Sequence, residues 1–297
     1  MKNGNRKCVV GFGEVVWDIF PSGPCFGGAP ANFACHAAEL GADSFLIGAV
    51  GEDELGARAL AELKKYGVDV THVARLGHPT GNVRVSLVDG EPQYEISNEV
   101  AWDYCEWTPG LEQMAPRVDA VCFGTLFQRS SVSRETLNRF LALTREDCLR
   151  IFDVNLRQQF WSDDIIVDSL KSANVLKLNQ AELPIVAAAA GISGSVDVAV
   201  DELLRAFGLR MVVLTRGSEG SLLATKTERD SIAAEAIEVV DAVGAGDAFT
   251  ACVTMGMLHN LDLPVINRLA SKLAARVCEH SGAVSSTGQQ FRDDFSS

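Results

Sequence analysis

Short apolar runs alternate along this chain with segments of helical period, and that alternation limits the fold more than any other feature. Residues 8–13, 44–49, 120–123, 150–154, 175–178 and 211–215 read as strands, most of them continuously apolar rather than alternating. A strand apolar on both faces is covered on both faces, which is the condition of a mostly parallel sheet between two layers of helices. Helical periodicity runs over 30–40, 54–66, 132–146, 180–190, 196–207, 245–259 and 263–280. Within 245–259, Ala248, Ala251, Cys252 and Met255 fall at i, i+3, i+4 and i+7, a stripe expected to face the sheet. The expected class is therefore α/β.

One stretch breaks the rhythm. From Thr80 to Trp107, Val83, Val85 and Leu87 alternate with their neighbours, and Asp89-Gly90 then offers a turn into 93–97. This reads as an antiparallel hairpin. A second extended piece, 15–20, follows the first strand with no helix between them. Two such insertions, over about 14–21 and 80–107, are expected to form a small lid of strands beside the main sheet. No repeat or linker divides the 297 residues, so a single domain spanning 1–297 is expected.

Composition removes whole classes of function. A net charge of -13 gives no footprint for nucleic acid or an anionic membrane. The longest uncharged apolar stretch, 248–258, is too short to cross a bilayer, and MKNGNRK carries no signal-peptide apolar region, so a soluble cytoplasmic protein is expected. The eight cysteines follow neither C-x-x-C nor zinc-finger spacing, which suits buried reduced thiols. A site for a polyphosphate on so acidic a chain must be built locally, from backbone N–H groups, a few cations and a metal.

Four segments could carry such a site. In Asp241-Ala242-Val243-Gly244-Ala245-Gly246-Asp247, two glycines two apart allow a tight turn into a helix, where backbone N–H groups and the helix dipole favour an anion. Asp247 then stands in the first helical turn, as a proton acceptor beside the anion or as an ordinary first-turn carboxylate. Gly27-Gly28-Ala29-Pro30-Ala31-Asn32 allows a ligand close to the backbone, or is a plain loop-to-helix junction. Asp18, in Trp17-Asp18-Ile19-Phe20, is a carboxylate in an apolar extended segment, suited to paired hydroxyls or to solvent.

Asp153-Val154-Asn155-Leu156-Arg157 and Lys177-Leu178-Asn179-Gln180-Ala181-Glu182 both lie at strand carboxyl ends, where open α/β sheets bind ligands. Asn179 and Glu182 have the spacing to orient a hydrated magnesium ion through water, or to form a capping box. Thr215-Arg216-Gly217-Ser218-Glu219-Gly220 is a glycine-rich turn able to follow a nucleotide's phosphates or ribose. Gly11-Phe12-Gly13 begins like a dinucleotide fingerprint but has Val16 where the third glycine would stand, and no G-x-x-x-x-G-K-[ST] occurs.

Together, in this order, these segments resemble the ribokinase-like carbohydrate kinases, from Gly11 to Ala283. DAVGAGDAF resembles the family's D-T-x-G-A-G-D signature, with Ala242 in place of the usual Thr, and the glycine pair with Asn32 resembles its N-terminal signature. The resemblance implies a three-layer sandwich with a mostly parallel central sheet and a small β-strand lid. It implies Asp247 as catalytic base, with the backbone of Val243, Gly244, Ala245 and Gly246 as anion hole.

By the same resemblance Asp18, Gly27, Gly28, Asn32 and Arg157 contact the sugar, and Asn179, Thr215, Gly217, Gly220, Gly244 and Gly246 bind ATP. Glu182 and Asn179 then serve Mg2+, K+ is a further expected activator, and a homodimer through the lid is the expected assembly. Trp102, Tyr104 and Trp107 are expected as exposed apolar groups of that lid. GEVVWDIFP, GGAPANFA and DVNLRQQFW look most like fructokinases, which implies phosphorylation of the 6-hydroxyl of D-fructose. A 2-keto-3-deoxygluconate kinase, another sugar or nucleoside kinase of the family, and an inactive sugar-sensing regulator are the alternatives.

Overall fold

The computed structural model describes residues 6–20, 23–88 and 91–295. In chain order the first half contains β1 (Cys8–Phe12), β2 (Val16–Phe20), β3 (Gly23–Gly27), α1 (Ala29–Glu39), β4 (Asp43–Gly51), α2 (Glu54–Lys65), β5 (Val73–Leu76), β6 (Asn82–Val88), β7 (Glu91–Ile96) and α3 (Pro109–Met114). It continues with β8 (Ala120–Phe123), α4 (Ser131–Leu143), β9 (Leu149–Asp153), α5 (Asp163–Ser172), β10 (Val175–Asn179), α6 (Glu182–Ala189) and α7 (Val196–Ala206). The last elements are β11 (Met211–Thr215), β12 (Ser221–Ala224), β13 (Arg229–Ile232), α8 (Ala245–Leu258) and α9 (Leu263–Cys278).

Nine strands form one sheet in the order β13-β12-β11-β10-β9-β8-β1-β4-β5, parallel from β11 to β5 and antiparallel only at the β12–β13 edge. Successive residues of each strand feed opposite cores, as the period of two requires. Val9, Ile151, Val175 and Met211 pack with Phe33 of α1, the Ala248–Ala251–Cys252–Met255 stripe of α8, and Leu273 of α9. Val10, Phe12, Phe152 and Leu176 face the other way, against Phe140 of α4, Ile166 of α5, Val186 of α6 and Leu203 of α7. The result is the expected three-layer sandwich. It leaves the carboxyl ends of the parallel strands side by side along one edge.

A second sheet, β3-β2-β6-β7, stands beside the first. β2 pairs antiparallel with β3 and parallel with β6, and β6 and β7 form the hairpin expected around Asp89-Gly90, a turn outside the described residues. The strand 23–27 was not anticipated in the sequence reading. The stretch after β7 also departs from expectation: residues 101–104 form a 3-10 turn, and Trp102, expected to be exposed, is 0% exposed within the main core. The Arg129 guanidinium lies 3.9 Å from the Trp102 ring. Tyr104 stacks on His78 and Trp107 lies beneath Arg139, so both are half-covered by packing.

Among the described residues no helix is long and apolar enough to cross a membrane. All eight cysteines are free; five are buried, while Cys25, on the edge strand β3, is exposed.

Candidate active site at the carboxyl edge of the sheet

The turn into α8 is shaped by the chain that packs against it. Asp241 accepts from the N–H of Val243 at 3.0 Å and from the N–H of Gly282 at 3.1 Å. Gly244 then takes φ +81°, and a Cβ there would stand 1.9 Å from the Ala283 carbonyl oxygen, so only glycine fits. No side chain caps this helix. The N–H groups of Gly246 and Asp247 therefore lie in a first turn where no intrahelical acceptor exists, at the positive end of the dipole. Two expected donors are otherwise engaged: the Val243 N–H is held by Asp241, and the Ala245 N–H donates to the Ala242 carbonyl at 3.4 Å.

Asp247 is half-buried in that turn, and its Oδ2 accepts from Asn32 Nδ2 at 2.8 Å. Burial pushes its pKa up to about 6, with Asp153 adding to the rise while Lys177, Asn32 and Arg157 oppose it. Lys177 and Asp153 are register partners on β10 and β9 and form a buried ion pair of 2.9 Å. The Lys177 ammonium is 3.2 Å from the place a Gly246 Cβ would occupy, so a side chain there would press on the ion pair. Thr250 Oγ1, one turn along α8, lies 3.1 Å from Asp153. This support was not singled out in the sequence, though a lysine in an otherwise apolar strand, Val175-Leu176-Lys177-Leu178, was the available signal.

Facing α8 across the strand ends is the glycine pair. Gly28 has φ +108°, and a Cβ on it would lie 2.5 Å from the Glu14 carbonyl oxygen. Gly27 stands beside Asp18, whose Oδ2 would be 3.4 Å from an added Cβ. Burial raises the Asp18 pKa, and Arg157 draws it back. Arg157 is exposed between Asn155 (φ +41°) and Gln158 (φ +49°), a left-handed loop that carries its positive charge toward Asp18, Glu14 and Asp247. Asn32 thus joins Asp247, Gly27 stands beside Asp18, and the Arg157 charge acts on both carboxylates.

The other candidates follow along the next strand ends. Asn179 Oδ1 accepts from the N–H groups of Ala181 and Glu182, and Glu182 Oε2 accepts from the Asn179 N–H at 2.8 Å, a complete capping box. Glu182 Oε1 accepts from Leu156, tying this box to the Arg157 loop. The Gln180 N–H donates to Thr215, and the turn continues through Gly217 (φ +56°) to Gly220 (φ +93°), where a Cβ would strike the Ile232 carbonyl. Exposed Val239, Val240 and Val243 lie on the approach to α8. A cavity of about 640 Å³ opens at the amino edge of β1 and β4, lined by Cys8, Asp43 and Arg145 among others, and holds none of these groups.

A half-buried carboxylate one turn inside an open helix N-terminus can take a proton from a hydroxyl while the N–H groups hold an anion. Comparison with known proteins gives the family. A family model described as pfkB family carbohydrate kinase matches residues 25–289. A fructokinase of Escherichia coli is 30% identical over 268 residues, covering 82% of each chain. One of Klebsiella pneumoniae is 31% identical over 294 residues, covering 93% of this chain and 92% of the relative. The crystal structure of an uncharacterized sugar kinase from Pyrococcus horikoshii in complex with ATP is 26% identical, with a TM-score of 0.78 and 93% of each chain covered.

Proposed function

The chain belongs to the pfkB family of carbohydrate kinases, and from that membership we propose that it transfers the γ-phosphoryl group of ATP to the 6-hydroxyl of D-fructose, with Asp247 as base. The observation that carries the reading is Asp247 itself, held by Asn32 at 2.8 Å beside the open N–H groups of α8, with its pKa raised to about 6. A base poised just below neutrality is ionised when needed and still basic enough to accept a proton. The fructokinases among the relatives support the sugar, and the ATP complex of the Pyrococcus horikoshii kinase supports the donor.

Asp18 and Asn32 orient the sugar with its hydroxyl against Asp247. The N–H groups of Gly246 and Asp247, with the backbone of Gly244, take up charge on the transferring group. Thr215, Gly217 and Gly220 run beside the nucleotide, and Val239, Val240 and Val243 offer an apolar face to its base. Closure of the second sheet over the sugar keeps water from the γ-phosphate.

Among the described residues no three His, Cys, Asp or Glu side chains are grouped to hold a metal, and Glu182 spends both oxygens on N–H groups. That donor set suits a largely hydrated Mg2+, which Asn179 and Glu182 would hold only through water. When bound, the ion neutralises phosphate charge on a strongly acidic protein.

Arg157 favours a second reading. An exposed cation beside Asp18 and Asp247 would also suit the carboxylate of 2-keto-3-deoxygluconate. The deciding experiment is ATP turnover with Mg2+ and K+ on fructose, 2-keto-3-deoxygluconate, ribose, tagatose and adenosine. Fructose-dependent turnover that falls about 10²–10⁴-fold in Asp247→Asn, with ATP still bound, is expected. Turnover on the sugar acid alone replaces the substrate, an active Asp247→Asn removes the base, and silence on all five favours a sensor.

A further inference from the structure

Glu14 takes no part in the roles above, yet packing alone does not account for where it lies. It follows Gly13 as the chain leaves β1, is 3% exposed, and its Oε2 has no hydrogen-bond partner among the described residues. Such an oxygen has given up water and received nothing in return, which costs stability. Burial pushes its pKa up to about 7, with Asp247 on α8 adding to the rise and Arg157 and Arg129 opposing it. Arg129 donates through Nε and Nη2 to Asp103 and Ser97, and although its buried Nη1 has no partner it makes no hydrogen bond or ion pair with Glu14.

A second acceptor is stranded in the same way. Asn32 on α1 spends its Nδ2 on Asp247, and its buried Oδ1 has no partner. The two residues belong to one small region: the Glu14 carbonyl packs on Gly28, and Gly28 in turn accepts the Asn32 N–H at 2.8 Å. Two buried acceptors from different elements thus border one base. A ligand that satisfies them must bring donors, and it must not bring negative charge, because Asp18 and Asp247 stand alongside. Hydroxyl groups meet both conditions.

We propose that Glu14 is a specificity-determining residue of the sugar site, its free oxygen accepting from a hydroxyl other than the one phosphorylated while Asn32 Oδ1 accepts from a neighbour. This rests on the sugar-kinase reading. The unmet hydrogen bonds of the empty site are made on binding, so a sugar lacking that hydroxyl leaves them unmet and is rejected.

The test compares wild type with Glu14→Gln, which keeps an acceptor, and Glu14→Met, which keeps the length and loses it. The sugar is whichever one turns over, together with its mono-deoxy analogues, and its binding without ATP is followed by calorimetry. Sugar KM should rise from wild type to Gln to Met, by about 10- to 100-fold in Met. ATP KM should stay within about twofold, and the Tm of both variants should match or exceed wild type by about 2–4 °C. Discrimination against one deoxy analogue should collapse in Met. Unchanged sugar KM with a lowered Tm would overturn the proposal, because Glu14 would then serve the fold through Arg129. A wild type that neither turns over nor binds any sugar would remove the kinase reading and this proposal together, whereas turnover indifferent to Glu14 removes only the proposal.

Discussion

At Asp247 two requirements pull against each other. As the proposed base it must be ionised to accept a proton, yet the site that would make it useful is one in which ionisation is costly. With the pKa near 6, kcat/KM should fall about tenfold per pH unit below that value, as the carboxylate takes up its proton, and level off above it. A pH–rate profile checks this, and a limb centred near the ordinary carboxylate value would contradict it. The same shift has a consequence for stability. The native state holds the proton up to about pH 6 while the unfolded chain releases it near 3.8, so stability is lost as pH rises through that window and stays lost above it. Asp247→Asn should therefore be more stable than wild type at pH 7.5, by on the order of 1–3 kcal/mol, while being nearly inactive. Urea unfolding at pH 4 and 7.5 measures this: the gain should be present at the higher pH and shrink at the lower.

The elements that hold these residues differ in how far the sequence betrays them. Continuous apolar runs covered on both faces made the parallel strands visible, and the 245–259 stripe marked residues of α8 that pack in the core with the sheet, although the helix is buried all round from Ala248 to Gly256. β3 was hidden because Gly-Pro-Cys-Phe-Gly has no period of its own and becomes a strand only by pairing with β2. β5 is only four residues long, whereas α5 carried a local start signal in Ser162, which accepts from Ile165, and in the first-turn Asp163 and Asp164. The glycine motifs and Asp247 were legible because their spacing is local. Glu14 and the Lys177–Asp153 pair were not, since burial and register partnership arise from distant chain. Glycines show the same divide, and a pair of substitutions tests it. Gly244→Ala meets both a left-handed φ and the Ala283 carbonyl at 1.9 Å, so Tm should drop by many degrees and ATP KM should rise. Gly217→Ala has φ +56° but nothing within 4 Å, so it should cost only about 1 kcal/mol. Thermal melts of the two variants should separate clearly; equal losses would show that φ alone governs both turns.

The whole molecule depends on how the second sheet is fastened to the first. Val16, Val83 and Ile96 of β2, β6 and β7 share one core with Trp102 and with Phe12 of β1, which argues that the two sheets unfold as a unit. Fluorescence of the buried tryptophans and far-UV circular dichroism should then give coincident urea transitions, whereas a separate early transition would mark an independent domain. The polar fastener is Arg129. It sits after β8, grips Asp103 through two nitrogens at 2.8 and 2.7 Å, donates to the Ser97 carbonyl at 2.7 Å, and covers Trp102. Both partners are buried, so removing one strands the other as an uncompensated charge, a loss of about 3–5 kcal/mol. Arg129→Met should destabilise the fold by that amount, and Arg129→Met with Asp103→Asn should recover part of it. Because Ser97 ends the hairpin and the loops proposed to hold the nucleotide lie on the far strands, the single variant should raise sugar KM more than ATP KM. Equal effects on both substrates would mean that the pair steadies the whole sheet edge rather than the sheet proposed to close over the sugar.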